Sequence, residues 1–293
     1  MSTMSVSTIR QYLDMIRFSH TLFALPFALL GAALAAHGPD GWHGRARDWF
    51  GILLCMATAR SAAMAFNRLA DRHFDALNPR TAGRHLPAGV MSVRSVAVFT
   101  LVCSLAFVAA TVLFLPNRWP LYLSIPVLLW LLSYSYSKRF TSLAHFWLGV
   151  SLSLAPIAAW IALRGDLEWP PVLLALAVLL WVSGFDIIYA CQDVEFDRSV
   201  SLLSIPKTFG VRRALWIAAA CHALMIVPLV GLGVVYPLGP IYFVGVAAVA
   251  VLLIYEHAIV RPDDLTRVNI AFFQVNVVIS MGLLFVALVD LLV

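Results

Sequence analysis

Residues 169–197 read WPPVLLALAVLLWVSGFDIIYACQDVEFD. Up to Ala190 this stretch carries a single charge, Asp186. A run of about 20 mostly apolar residues is what an α-helix needs to cross the hydrocarbon core of a bilayer. Just past the end of the run stand two carboxylates, Asp193 and Asp197, four residues apart. The stretch therefore predicts a spanning helix over 170–190 that ends in an acidic tract.

Eight more apolar runs of the same kind lie on either side, at 16–36, 49–70, 93–115, 119–136, 143–163, 213–233, 237–258 and 268–292. The composition agrees: 62% of the 293 residues are hydrophobic and 12% charged, against roughly 25% charged in a soluble domain. That balance excludes an ordinary water-soluble fold. The pattern predicts an all-α integral membrane protein, a single domain over 1–293, with about nine transmembrane helices around a central cavity that opens to the cytoplasmic side. The net charge of +5 comes from loop residues, which suit membrane orientation and phosphate binding, so no nucleic-acid partner is expected. Cys55, Cys103, Cys191 and Cys221 lie inside apolar runs without paired spacing and read as small core residues. The N-terminus shows no small-residue cleavage site, so its first apolar run reads as a retained span.

With the N-terminus placed in the cytoplasm, fourteen of the twenty Lys and Arg residues fall on the cytoplasmic side and four on the other. Such a bias favours that orientation. It predicts a multi-pass protein of the cytoplasmic (inner) membrane. It also puts both long polar loops, 71–92 and 191–212, on the cytoplasmic side.

Those two loops look like versions of one device. The first carries Asn67, Asp71 and Asp75 at four-residue spacing, then Asn78-Pro79-Arg80-Thr81, Arg84 and Leu86-Pro87. The second carries Tyr189, Asp193 and Asp197, then Arg198 and Ile205-Pro206-Lys207. Asp71 and Asp193 are 122 positions apart, so the chain reads as a pseudo-repeat with a site between its halves. Residues four apart share one helix face, which extends the first tract into a polar stripe with Arg60 and the second into one with Asp186. A charge inside a span faces a partner or a wet cavity, and Arg60 and Arg68 both lie within the second run.

Oxygen donors of this kind suit a hard cation such as Mg²⁺, which takes one or two carboxylates plus phosphate oxygens and water. Asn67, Asp71, Asp75, Asp193 and Asp197 are the candidate metal ligands. Arg80, Arg84, Lys138, Arg139 and Lys207 supply cations for phosphate oxygens, and Tyr134 shares a helix face with Lys138. Residue logic alone thus reaches metal-assisted chemistry on a diphosphate at a membrane face.

Asn67-x3-Asp71-x3-Asp75-x2-Asn-Pro-Arg-Thr-x2-Arg-x-Leu-Pro-x-Gly, ending at Gly89, resembles the first signature of the UbiA family of membrane-embedded aromatic prenyltransferases. Asp186-x2-Tyr189-x2-Gln192-Asp193-x3-Asp197 with Ser204-Ile205-Pro206 resembles the second, Tyr134-x3-Lys138 a third element, and Arg17-Phe18-Ser19-His20-Thr21 through Leu25-Pro26-Phe27 the first span. Arg68 departs from the Asp that many members carry there. With Asn78-Pro79-Arg80-Thr81 it points to the 4-hydroxybenzoate polyprenyltransferase-like branch, which includes MqnP-type enzymes of menaquinone biosynthesis.

The resemblance implies Mg²⁺-dependent transfer of a polyprenyl group from polyprenyl diphosphate to a small aromatic acid acceptor, 4-hydroxybenzoate or a dihydroxynaphthoate. Diphosphate is released and the product serves ubiquinone or menaquinone biosynthesis. Membrane lipid is the medium from which the donor enters. Asp186 then orients the acceptor or removes the ring proton, and Arg17 or Arg60 pairs with an acceptor carboxylate. Tyr189, Phe66, Phe185 and Trp147 are candidate walls for an allylic cation. Glu256, beside His257, reads as a boundary charge, and Asp290 as an interfacial one. Two alternatives stay open: a haem- or chlorophyll-type prenyltransferase of the same family, and an ion-coupled membrane transporter. A CDP-alcohol phosphotransferase is disfavoured because the chain lacks that motif's glycine and upstream Asp-Asp-Gly elements.

Overall fold

The computed structural model describes residues 6–17, 21–38 and 41–293; Phe18, Ser19 and His20 of the opening motif lie outside them. The helices are α1 (Val6–Met15), α2 (Thr21–Ala36), α3 (Ala46–Leu77), α4 (Val93–Ala110), α5 (Trp119–Ser137), α6 (Ala144–Arg164), α7 (Trp169–Ala190), α8 (Val194–Ser199), α9 (Ile205–Phe209), α10 (Val211–Val235), α11 (Pro240–Ile259) and α12 (Asn276–Leu292). A two-residue hairpin follows α2, with His37 paired to Trp42.

Helices stand at all nine expected places. Seven helices among the described residues are long and apolar enough to cross a membrane: those beginning at Ala46, Val93, Ala144, Trp169, Val211, Pro240 and Ile270. The apolar part of α2, Phe23–Ala36, is shorter, and α5 is not among the seven. Both helices carry an internal proline, at Pro26 and Pro126, as do α6 (Pro156) and α10 (Pro228) among the seven.

Chain-terminating signals set the helix ends. Pro170, Pro171 and Pro240 occupy first-turn positions, where a missing N–H costs nothing. Gly165 closes α6 at φ 80°, a left-handed position that glycine adopts freely. Asp290 accepts from the backbone N–H groups of Gly239 (2.6 Å) and Tyr242 (3.1 Å). It therefore caps the start of α11 rather than standing as a bare interfacial charge.

The core sits around α7, fourteen of whose 22 residues are buried, and it packs between α6 and α10. Small residues allow both contacts. A Cβ on Gly149 would lie 2.6 Å from the Leu179 carbonyl oxygen, and one on Gly184 would lie 2.3 Å from the His222 ring. Close helix approach through small residues is how membrane helices pack without a hydrophobic drive between them.

A buried polar chain crosses this core. The Trp181 indole donates to Asn276 Oδ1 (2.6 Å), and Asn276 Nδ2 donates to Glu256 (3.3 Å) and to the carbonyls of Ala271 and Phe272. Those carbonyls belong to a π-helical turn, Ile270–Val275, ahead of α12. Such a turn loosens the carbonyl ladder, and the side-chain amide fills the gap. Glu256 is 0% exposed, so the boundary reading of this residue is wrong: it faces the bundle interior.

Candidate active site

At 1.5 Å per residue, the 32 residues of α3 run about 48 Å, well beyond the ~30 Å hydrocarbon core. The surplus lets its last turns carry Asn67, Asp71 and Asp75 clear of the apolar run, one above another on one face. The helix stops at Asn78 (φ −88°, ψ 117°) because the residue before a proline is pushed out of the helical region. The Asn78 side chain then organises the turn. Its Oδ1 accepts from Arg80 N at 2.9 Å, and its Nδ2 donates to Asp193 Oδ1 at 3.2 Å. Thr81 Oγ1 donates to the Asp75 carbonyl at 3.0 Å. These bonds fold the loop back so that Arg80 and Arg84 overhang the end of α7.

The second tract differs from the first. Asp193 and Asp197 do not lie on one continuous helix, because a 3₁₀ turn, Cys191–Asp193, separates α7 from α8. Asp197 is instead held from the side by Ser204 Oγ, which donates at 2.8 Å. Ser204 also caps α9 by accepting from Lys207 N.

The two tracts and the end of α5 close on one cavity of about 170 Å³. Its lining includes Asn67, Asp71, Asp75, Arg80, Arg84, Tyr134, Lys138, Arg139, Asp186, Tyr189, Asp193 and Asp197. A pocket for a whole drug-sized ligand runs to ~300–1,000 Å³, so this volume fits a head group, not a polyprenyl tail. Three ion pairs span it. Arg80 forks onto Asp193 (Nε–Oδ1 2.8 Å, Nη2–Oδ2 2.5 Å) and gives its third donor to Tyr189 Oη at 2.8 Å. Arg84 reaches Asp75 at 2.6 Å, and Arg139 reaches Asp71 at 3.4 Å. Burial works against the charge on Arg80, but the Asp193 and Tyr189 contacts outweigh it and hold its pKa above the ordinary value.

The donors fit a hard divalent cation. Asp75 Oδ2 is buried with no hydrogen-bond partner, an oxygen left over for a ligand to use. No three His, Cys, Asp or Glu side chains among the described residues converge on a metal position. An ion here would take one or two carboxylates and complete its shell with phosphate oxygens and water, as Mg²⁺ does.

Four expected site residues stand differently. Asn67 Nδ2 donates to Asp71 Oδ2 at 2.7 Å while its oxygen accepts from Arg68 at 3.3 Å. Arginine has no acceptor, so the amide is turned this way round, and in the ligand-free cavity Asn67 steadies Asp71. Lys207 is outside the cavity lining, its Nζ donating to the carbonyls of Asp197 (2.7 Å) and Leu202 (2.6 Å). Arg60, also outside the lining, donates to the carbonyls of Ile16 and Arg17. Arg17 faces a neighbouring cavity.

The expected walls shift as well. Phe185 packs in the core against Phe23 and Trp181, Trp147 stacks on Trp130, and Phe66 meets Tyr136. Of the four expected walls only Tyr189 lines the cavity, joined by Phe74 and Phe196.

One orienting residue escaped the sequence. His145, 0% exposed, holds Asp186 Oδ2 at 2.7 Å through Nδ1, and its Nε2 faces the Ile205 N–H at 3.4 Å. An N–H pointing at Nε2 leaves the ring proton on Nδ1, donated to Asp186. The only sequence signal was a histidine opening an apolar helix.

The model of the UbiA prenyltransferase family matches residues 24–278. A 4-hydroxybenzoate octaprenyltransferase of Marinobacter nauticus is 35% identical over 219 residues, 74% of this chain and 73% of that protein. One from Vibrio vulnificus is 29% identical over 96% of this chain and 98% of its own length. Among solved structures, the UbiA homolog from Aeropyrum pernix K1 superposes with a TM-score of 0.82 at 33% identity, covering 92% of this chain and 98% of that one. A homolog from Archaeoglobus fulgidus bound to GPP and Mg²⁺ shares the fold at a TM-score of 0.71 and 19% identity, covering 97% of this chain and all of that one.

Proposed function

The chain belongs to the UbiA prenyltransferase family, and from that premise we propose that it transfers a polyprenyl group from polyprenyl diphosphate to the ring of an aromatic quinone precursor. The relatives' names favour 4-hydroxybenzoate as acceptor over a dihydroxynaphthoate. The observation that carries the reading is one cavity lined by both acidic tracts and by Arg80, Arg84, Lys138 and Arg139.

The allylic C–O bond breaks with its electron pair going to the diphosphate. A ring carbon beside the phenol oxygen attacks the allylic carbon, and the ring proton leaves. Asp71, Asp75, Asp193 and Asp197 are the residues that would hold Mg²⁺, which when bound supplies positive charge to the leaving diphosphate. The arginines act in the same sense. In the ligand-free cavity they neutralise the carboxylates, and with donor bound their forks turn to phosphate oxygens. Phe74, Phe196 and Tyr189, the aromatic residues of the lining, are the side chains available to stabilise the allylic cation. Asp186, steadied by His145, accepts the phenol hydrogen bond and takes the ring proton.

The enzyme is multi-pass by its seven candidate spans. A single domain over 1–293, an inner-membrane location and a cytoplasmic mouth complete the proposal, the last two on the basic-residue bias.

Turnover tests it directly. Purified protein in detergent is given geranyl diphosphate, Mg²⁺ and either acceptor, with EDTA, Asp71→Ala and Asp193→Ala as controls. A prenylated acid that disappears in all three controls supports the two-tract mechanism. Diphosphate release without a prenylated ring would overturn the acceptor class, and no release with longer donors either would overturn the enzyme reading.

A further inference from the structure

Behind the arginines lies a second cavity of about 360 Å³, lined by Asp14, Met15, Arg17, Arg68, Arg80, Gly83, Arg84 and His85. We propose that it is a metal-independent oxyanion site that receives inorganic diphosphate on its way out of the first cavity.

Its charge is unbalanced. Arg80 and Arg84 are matched by Asp193 and Asp75 on their other side. Arg17 and Arg68 form no ion pair among the described residues. Arg68 is only 5% exposed and donates to two neutral acceptors, the Met15 carbonyl and Asn67 Oδ1, both at 3.3 Å. Asp75 and Asp71 act on Arg68 from a distance without pairing with it; a buried guanidinium with no directly bonded counter-charge is costly, and an anion reduces that cost. Asp14, the one carboxylate in the lining, stands 3.8 Å from Arg10.

Two further observations point the same way. The Nε of Arg84 is buried and has no acceptor, a donor left over between the two cavities. Arg17 sits at φ 48°, a left-handed backbone unusual for a residue with a Cβ. Arg60 holds that turn by donating to the carbonyls of Ile16 and Arg17 at 3.1 and 3.2 Å. Backbone strain of this sort persists where surrounding structure enforces it and gathers at ligand clamps.

The ligand follows from the chemistry. Planar guanidinium forks match phosphate and carboxylate oxygens. Four of them around one small space favour the more highly charged anion. Arg80 and Arg84 form the wall between the cavities, so a diphosphate released in the first meets the second without leaving arginine contact. The first cavity holds five carboxylates and needs a metal to accept a polyanion; the second holds one and does not.

Equilibrium binding of radiolabelled inorganic diphosphate to the purified protein, in detergent with EDTA, separates the two sites. One equivalent should bind to the unmodified protein. Arg68→Gln and Arg17→Gln should each weaken it at least tenfold, whereas Asp71→Ala, in the first cavity, should leave it within about threefold. Should Arg68→Gln fail to fold, Arg17→Gln at its exposed position still decides. Absence of metal-free binding, binding indifferent to both arginines, or binding tightened by Asp71→Ala would each overturn the proposal. So would stoichiometric displacement by 4-hydroxybenzoate, which would make the cavity a carboxylate site. The readout needs no turnover, so an inactive enzyme that still binds diphosphate without metal sinks the prenyl-transfer reading and keeps the oxyanion site, whose part in product exit rests on that reading.

Discussion

Replacing His145 with phenylalanine keeps the ring volume and removes both of its polar contacts. The 2.7 Å bond to Asp186 is the one that matters; the 3.4 Å approach of the Ile205 N–H is too long to contribute much. The imidazole is fully buried and the Asp186 side chain 13% exposed, so water replaces little of what is lost. Leaving such an acceptor without its donor costs about 1–3 kcal/mol, which corresponds to roughly a 5- to 150-fold fall in kcat/KM for prenylation. Because His145 acts through Asp186, the loss should appear in kcat and in KM for the acceptor, with KM for geranyl diphosphate unchanged. Asn at 145 places an amide N–H near the former Nδ1 and should recover most of the rate. Kinetics of His145→Phe and His145→Asn in detergent, with thermal unfolding measured alongside, decide the matter. A phenylalanine variant within threefold of the unmodified enzyme, or equal losses in both variants, would refute the positioning role.

Arg80→Lys keeps the charge but cannot fork onto Asp193 while also reaching Tyr189, so KM for the donor should rise about tenfold, as steady-state kinetics would show. Gly149→Ala drives a methyl against the Leu179 carbonyl and should lower stability by ~1–3 kcal/mol, read as a fall in Tm in detergent. Gly282→Ala, which meets nothing within 4 Å, should leave Tm in place. Asp290→Ala removes the side chain that caps α11 and should cost about 1 kcal/mol in the same measurement, with kcat intact.

The helices were legible because lipid imposes a coarse rule, a long apolar run per span, and that rule survives without knowledge of packing. It misled where packing decides. Glu256 lies three residues from the end of its helix and reads as a boundary charge, yet the π-helical turn brings Asn276 beside it and takes it out of solvent. The first acidic tract was legible because four-residue spacing fixes a helix face; in the second a 3₁₀ turn breaks that face between Asp193 and Asp197. His145 was not, since its partner Asp186 lies 41 positions away on another helix, and no local pattern announces a contact between two apolar runs. Asn67 shows a finer limit. Its place in the stripe was visible, but which end of its amide faces Asp71 depends on Arg68 folding back to the Met15 carbonyl.

The pseudo-repeat is where sequence symmetry and physical asymmetry part. Both halves present two carboxylates followed by a basic loop with proline. In the first half the loop turns tightly at Asn78, and its arginines come back over the cavity to bond carboxylates of both tracts. In the second, the 3₁₀ turn ends α7 early, and Lys207 is committed to the Asp197 and Leu202 carbonyls, where it holds α9 against α8. One half therefore contributes mobile cations that can change partner from carboxylate to phosphate. The other contributes a fixed acidic wall. A symmetric pair of loops would bring cations to both tracts and leave the cavity paired with itself. The asymmetry leaves Asp197 bonded only to a neutral hydroxyl, Ser204, among the described residues. Asp197 is thus the tract carboxylate with no arginine to displace.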